Sequence, residues 1–176
     1  ETVSDVLFYG VHPVETLLQH APERVLSIWL DADRKDIRLA ALSEQAQALG
    51  LAIQWVPKKT LEKLAQASQH QGVVVKARPV AMHTIDDACD RVRNAQAPLL
   101  FLALEGITDP HTLGACLRSA AGLGVDGVLL PKRGCAGVNS TVSKVASGGD
   151  ALVPLYQVTN LVRALRALQA EGMQVV

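Results

Sequence analysis

Aromatic side chains are nearly missing from this sequence: two Trp, two Tyr and two Phe among 176 residues. That excludes the extended stacking platforms on which single-stranded nucleic acid is held base by base. Cysteine is scarce too. Cys89, Cys116 and Cys135 are odd in number, widely spaced and without a C-x-x-C pair, which argues against a disulfide framework or a zinc site and fits a reducing cytoplasm. No metal is expected. No apolar run approaches the ~20 residues that span a bilayer, and no signal pattern is visible. A soluble cytoplasmic protein without a membrane partner is therefore the expectation. Net charge is zero, so the chain as a whole is not a strongly basic nucleic-acid binder.

What is present is a core and a local charge pattern. With 49% hydrophobic residues, burying a core is no difficulty, and the length suits one large or two small domains. Between Ile53 and Ile85 stand Lys58, Lys59, Lys63, Lys76 and Arg78 against the single acid Glu62. Between Gly127 and Gly149 stand Lys132, Arg133 and Lys144 with no acid. Two basic stretches on a neutral chain suit a structured RNA partner, although an ordinary solvated face explains the charge alone equally well.

Periodicity divides the chain. Residues 1–78 alternate strand and helix: strands at Val6–Tyr9, Ser27–Leu30, Leu51–Val56 and Gly72–Ala77, and helices after Pro13, at Ile37–Leu49 and at Lys59–Ala67. Residues 79–98 read as a proline-bounded flexible linker holding at most a short helix at Asp86–Ala95. From residue 99 to 176 the pattern becomes β-α-β-α-β-α-β, ending in a strand at Met173–Val176, which implies a parallel sheet. A nucleotide-binding oxidoreductase fails on the first βα turn, which has no G-x-G-x-x-G.

The densest information lies in Glu105–Pro131. Leu99–Leu104 is a short apolar run expected to be a strand covered on both faces. Asp109-Pro110 ends it, and Leu113, Cys116, Leu117 and Ala120 recur at helical spacing, with Asp109 or Thr112 able to cap the start. Arg118 is the one cation on that helix, and its neighbours at helical spacing, Gly114, Ala115, Ala121 and Gly122, are all small. They leave room for a bulky partner at the guanidinium or for close helix packing around a structural ion pair.

Asp109-Pro110-His111 with Leu113 to Ala120 resembles the first signature motif of the SpoU/TrmH branch of the SPOUT RNA 2′-O-methyltransferases. Lys144-Val145-Ala146 with Gly148, Val153-Pro154 and Val158-Thr159-Asn160-Leu161 is similar to the blocks that follow. Tyr9-Gly10-Val11-His12 and His70-Gln71-Gly72-Val73 look like the start and end of that family's substrate-binding domain. The resemblance implies an α/β chain of two parts: a small ribosomal-protein-like RNA-binding domain over 1–78 and, over 99–176, the N-terminal part of a parallel-sheet SPOUT (α/β-knot) catalytic domain. It implies S-adenosylmethionine as methyl donor, a guanosine ribose of 23S ribosomal RNA as substrate, and homodimers formed through the knot. Arg118 and Thr112 are then the catalytic candidates, and Lys58, Lys59, His70, Lys132, Arg133 and Lys144 the RNA-binding ones. A guanidinium there is chemically sensible: it can hold a phosphate bidentately and stabilise alkoxide character at the 2′-oxygen. A guanidinium stays protonated in proteins, which favours that role over service as a base.

Three departures set further expectations. Thr112 stands where the family usually has asparagine, and offers one hydroxyl in place of an amide. Gly149-Asp150-Ala151 replaces the alanine and glutamate context typical of that block, so that the acid is missing or displaced by one residue. The sequence ends at Met173-Gln174-Val175-Val176, ahead of the family's cofactor-binding segments, so these 176 residues are expected to lack most of that pocket and to be inactive alone. The alternative is a non-catalytic RNA-binding or ribosome-interacting protein.

Overall fold

The computed structural model describes residues 5–146 and 148–176, the side chains of Ser140 and Lys144 excepted. Two four-stranded sheets organise the chain. The first contains β1 (Val6–Tyr9), β2 (Val25–Asp31), β3 (Ile53–Val56) and β4 (Val73–Ala77) in the order β1-β4-β2-β3. Strand β4 runs antiparallel to both neighbours, whereas β2 and β3 are parallel. Its valine run follows from this position: Val73, Val74 and Val75 are fully buried, as in a strand covered on both faces. Helices α1 (Val11–His20) and α2 (Ile37–Ala48) supply Val14, Leu17, Leu18, Leu39 and Leu42 to one face. Helix α3 (Lys58–Ala65) closes the other with Leu61 against Val74.

The second sheet is parallel throughout. It contains β5 (Met82–His83), β6 (Phe101–Ala103), β7 (Gly127–Pro131) and β8 (Leu155–Val158) in the order β5-β8-β7-β6. Helices α5 (Pro110–Gly122) and α6 (Ser140–Ala146) cover one face through Leu113, Leu117 and Val142. The short α7 (Gly149–Leu152) follows α6, while α4 (Ile85–Arg93) and α8 (Leu161–Ala170) cover the opposite face.

Three expectations change. Residues 82–93, read as linker, form β5 and α4: β5 pairs with β8, and Thr84 and Asp87 make a reciprocal capping box that starts α4. That side-chain pair satisfies helix N–H groups which a flexible connector would leave to water. Strand β6 does have both faces covered, Phe101 and Ala103 toward one cluster and Leu102 toward the other, but it lies at the sheet edge and stays half-buried. Residues 173–176 are not a strand. Met173 turns back so that its N–H reaches the Leu168 carbonyl, and Val175 and Val176 are exposed, since neither sheet offers them a ladder partner.

The two sheets meet through α1, α6 and α7. Ala151 packs on the core of the first sheet, and Gly148 lies so close to α1 that a Cβ there would sit 2.4 Å from Thr16 Cγ2.

Candidate functional site

The loops after β6, β7 and β8 share the C-terminal edge of the parallel sheet, where open α/β sheets place their ligands. Asp109 caps α5 there. Its Oδ2 accepts the Thr112 backbone N–H at 2.8 Å and the Thr112 hydroxyl at 2.7 Å. The hydroxyl bond, then the backbone bond, holds the Asp109 carboxyl below the usual carboxylate range. Pro110 occupies the first helical position, where its missing N–H costs nothing. Thr112 thus commits its hydroxyl proton to the helix start.

Arg118 lies six residues on, about 9 Å along the axis at 1.5 Å per residue, and the structure does not bring it together with Thr112. Its side chain is exposed, and among the described residues it makes no ion pair or hydrogen bond. The backbone beneath it is crowded. A Cβ on Gly149 would meet Arg118 Cα and the Leu117 carbonyl at 3.1 Å, and one on Gly114 would meet Val145 Cβ at 2.7 Å. Helices α6 and α7 therefore clamp the inner side of α5, while Ala115 and Gly122 remain on the open side with Arg118. Lys132 and Arg133 are exposed in the loop after β7. Lys144 falls on α6, with its side chain outside the described residues.

The displaced acid has a different place. Asp150 is fully buried; its Oδ2 accepts the Ser143 hydroxyl at 2.6 Å and, among the described residues, its Oδ1 has no partner. It acts electrostatically on Arg24 of the first domain, which is also buried. Arg24 Nε donates to the Arg78 carbonyl at 3.0 Å, its guanidinium lies 5.4 Å from the Phe8 ring centroid, and both terminal nitrogens lack partners among the described residues. Burial lowers the Arg24 pKa, and the Asp150 carboxylate opposes that shift.

A cavity of about 900 Å³ opens on the first domain. Lys58 and His70 both line it, with Arg34, Asp31, Asp33 and Tyr9; Lys59 does not. The floor is a sharp corner. Gln71 holds φ 53°, a left-handed conformation uncommon outside glycine, and its Oε1 accepts the Val11 N–H at 2.8 Å, capping α1. Gly72 is at φ 85°, and a Cβ there would meet Leu39 Cδ1 at 2.7 Å. His70 is 2% exposed. Its carbonyl accepts the Gly10 and Val73 N–H groups, and its Nδ1 accepts the Gly72 N–H at 3.1 Å. Burial lowers its pKa. A second cavity, about 430 Å³, shares Tyr9 and reaches the other domain at His111, Thr141 and Val145.

Residues 7–82 match the family described as RNA 2′-O ribose methyltransferase substrate binding, and residues 99–176 match the SpoU rRNA methylase family. A 23S rRNA (guanosine-2′-O-)-methyltransferase RlmB from Shewanella oneidensis is 44% identical over 98% of this chain and 69% of its own length. The Escherichia coli protein of the same name is 39% identical over 97% of this chain and 70% of its own. Among solved structures, the AdoMet-bound rRNA methyltransferase from Sinorhizobium meliloti superposes with a TM-score of 0.71 at 18% identity, covering 97% of this chain. The SpoU methyltransferase AviRb from Streptomyces viridochromogenes, in complex with AdoMet, gives 0.69 at 18% identity, covering 96% of this chain. The chain spans 60% and 62% of the lengths of those two structures. Fold and motifs thus define an α/β RNA-modifying protein with a separate substrate-binding half. The chain belongs to the SpoU family of RNA 2′-O-ribose methyltransferases.

The loops after β6, β7 and β8 carry glycines with free space around them. Gly106, Gly134 and Gly137 in those loops face open space, and no residue of the three loops lines either cavity above. Sequence reasoning missed Arg34, Asp31 and Asp33 around the cavity and the Arg24–Asp150 couple. Gln71, between a histidine and a glycine, was the available signal for the corner; nothing local signals Arg24.

Proposed function

We propose that this chain serves the 2′-O-methylation of a guanosine in 23S ribosomal RNA, with S-adenosylmethionine as methyl donor, in the cytoplasm and as a homodimer. The observation that carries the reading is Arg118: a guanidinium on a helix clamped from behind, exposed and, among the described residues, without an internal partner. A fixed, unneutralised guanidinium is suited to gripping the phosphate beside the reacting ribose and to offsetting charge that develops on the 2′-oxygen. Asp109 and Thr112 serve it indirectly, by fixing the start of α5. Lys132 and Arg133, at the same sheet edge, and Lys58 and Lys59, on the first domain, contribute phosphate contacts.

The test is methyl transfer to an rRNA fragment by the complete polypeptide. Arg118→Ala is expected to lower the rate on the order of 100-fold, a larger loss than that of the one phosphate contact it removes from RNA binding. Arg118→Lys also fails to restore it, because a point charge cannot replace the fork. Undiminished transfer by Arg118→Ala overturns the assignment. In RNA titrations, neutralising Lys132 and Arg133 should each reduce the salt slope by roughly one unit.

A further inference from the structure

We propose that Asp150 and Arg24 are positioning residues for methyl transfer: through the one turn of α7 they tie the seating of the first domain to the backbone of α5 beneath Arg118. The inference rests on the reading of Arg118 given above.

Helix α7 is only four residues long, Gly149–Leu152, about 6 Å at 1.5 Å per residue. Consecutive residues in and just before it each meet a different part of the molecule. Gly148, at φ 85°, leaves no room for a side chain against Thr16 of α1. Gly149 meets α5: a Cβ there would lie 3.1 Å from Arg118 Cα, 3.1 Å from the Leu117 carbonyl oxygen and 3.3 Å from the Arg118 nitrogen. Asp150 accepts the Ser143 hydroxyl of α6, and Ala151 packs on the core of the first sheet. Packed interiors transmit strain rather than absorb it, so α7 has little freedom to move without moving its neighbours. A shift of the first domain against α7 is therefore passed to the backbone that carries Arg118.

Apolar contacts are non-directional, so they specify the seating of the two halves only loosely. The buried charges supply the missing direction. Arg24 ends the short turn Pro22–Arg24 and is buried, its terminal nitrogens without partners among the described residues. Asp150 Oδ1 is buried and unpartnered among them as well. Arg24, Ala151 and Leu152 line one cavity of about 430 Å³, which places the turn alongside α7. Burial disfavours the Arg24 cation, and the Asp150 charge opposes that penalty. A seating that separates the two leaves each charge alone in a low dielectric. Buried pairs of this kind add little net stability and are better suited to selecting one arrangement. Methyl transfer has use for such selection, since a misplacement of about 1 Å can cost on the order of 100-fold in rate. All three residues of the segment that departs from the family block, Gly149, Asp150 and Ala151, take part.

The test is steady-state methyl transfer to an rRNA fragment by the complete polypeptide at saturating S-adenosylmethionine. Asp150→Asn, Arg24→Met, the two together, and Gly149→Ala are each placed in the native and in the Arg118→Ala background. The expected result is kcat about tenfold lower in each variant, with the KM for RNA within about twofold of native. No further loss is expected once Arg118 is gone, because these residues act through it. The paired variant should lose no more than either single change, since the two act as a unit. Circular dichroism checks the fold. Where a lone buried charge unfolds a single variant, the paired variant and Gly149→Ala, which leave no charge unpaired, supply the same readings. Full kcat in the paired variant and in Gly149→Ala overturns the proposal. A loss confined to KM also overturns it, and so does one repeated in full in the Arg118→Ala background, which marks general damage. Undiminished transfer in Arg118→Ala alone overturns the underlying reading, whereas a loss there with full kcat in the α7 variants overturns this inference only.

Discussion

The two halves of this chain handle a critical cation or imidazole in opposite ways. In the first, His70 is buried under a corner of left-handed residues, Gln71 and Gly72, and its surroundings dictate its tautomer. In the second, Arg118 rides in the open on a long helix whose inner side is held by α6 at Gly114 and by Gly149 of α7. A buried imidazole gains fixed geometry and protection from competing water. A group that meets a phosphate needs access and permanent charge, and a guanidinium keeps its charge without help from its surroundings. Mixed strand directions build the concave half, and parallel strands with capped helices build the half that presents a cation.

The sharpest way to break this comparison is at the seam. Gly148 has φ 85° and no room for a Cβ against Thr16, whereas Gly172 has φ 99° and open space. Gly148→Ala should cost about 3 kcal/mol, combining backbone strain with overpacking, while Gly172→Ala costs about 1 kcal/mol from strain alone. Urea denaturation measures both, and equal costs would mean that the halves are not in tight contact. A smaller effect is expected from Arg24 and Asp150. A double-mutant cycle with Arg24→Met and Asp150→Asn should give a coupling of about 1–3 kcal/mol if these buried charges hold the halves together. A coupling near zero would reduce them to separate internal groups.

The smallest effect sharpens the contrast between imidazole and guanidinium. The folded-state pKa of His70 lies below its ordinary value of about 6.5. The unfolded chain therefore binds a proton that the folded chain refuses as pH falls below that value. Stability should be flat in this respect above about pH 6.5 and fall below it, by at most about 1.4 kcal/mol per pH unit. His70→Asn should flatten the acid limb measured by urea midpoints between pH 7.5 and 5; an unchanged limb would remove His70 as its source.

Much of this arrangement was legible in local sequence. The apolar periodicities of α5 and α8, the valine run of β4, the Asp109 cap and the Arg118 motif all depend on residues within a turn or two of one another. Side-chain spacing and helix-end hydrogen bonds are local physics, and they survive without knowledge of the fold. The linker reading of residues 82–93 failed for a related reason: β5 is only two residues long and gains its identity from pairing with β8, some seventy residues away.

By itself, then, the order of residues determined two α/β halves, a capped helix carrying one arginine, and a family. Only the tertiary structure decided that His70 is buried and that Asp150 is buried within electrostatic reach of Arg24. It likewise left residues 173–176 outside both sheets. Burial and electrostatic partnership are set by what the rest of the chain brings alongside: Arg24 and Asp150 lie far apart in sequence, and the low-dielectric surroundings that give their charges weight exist only once both sheets have closed.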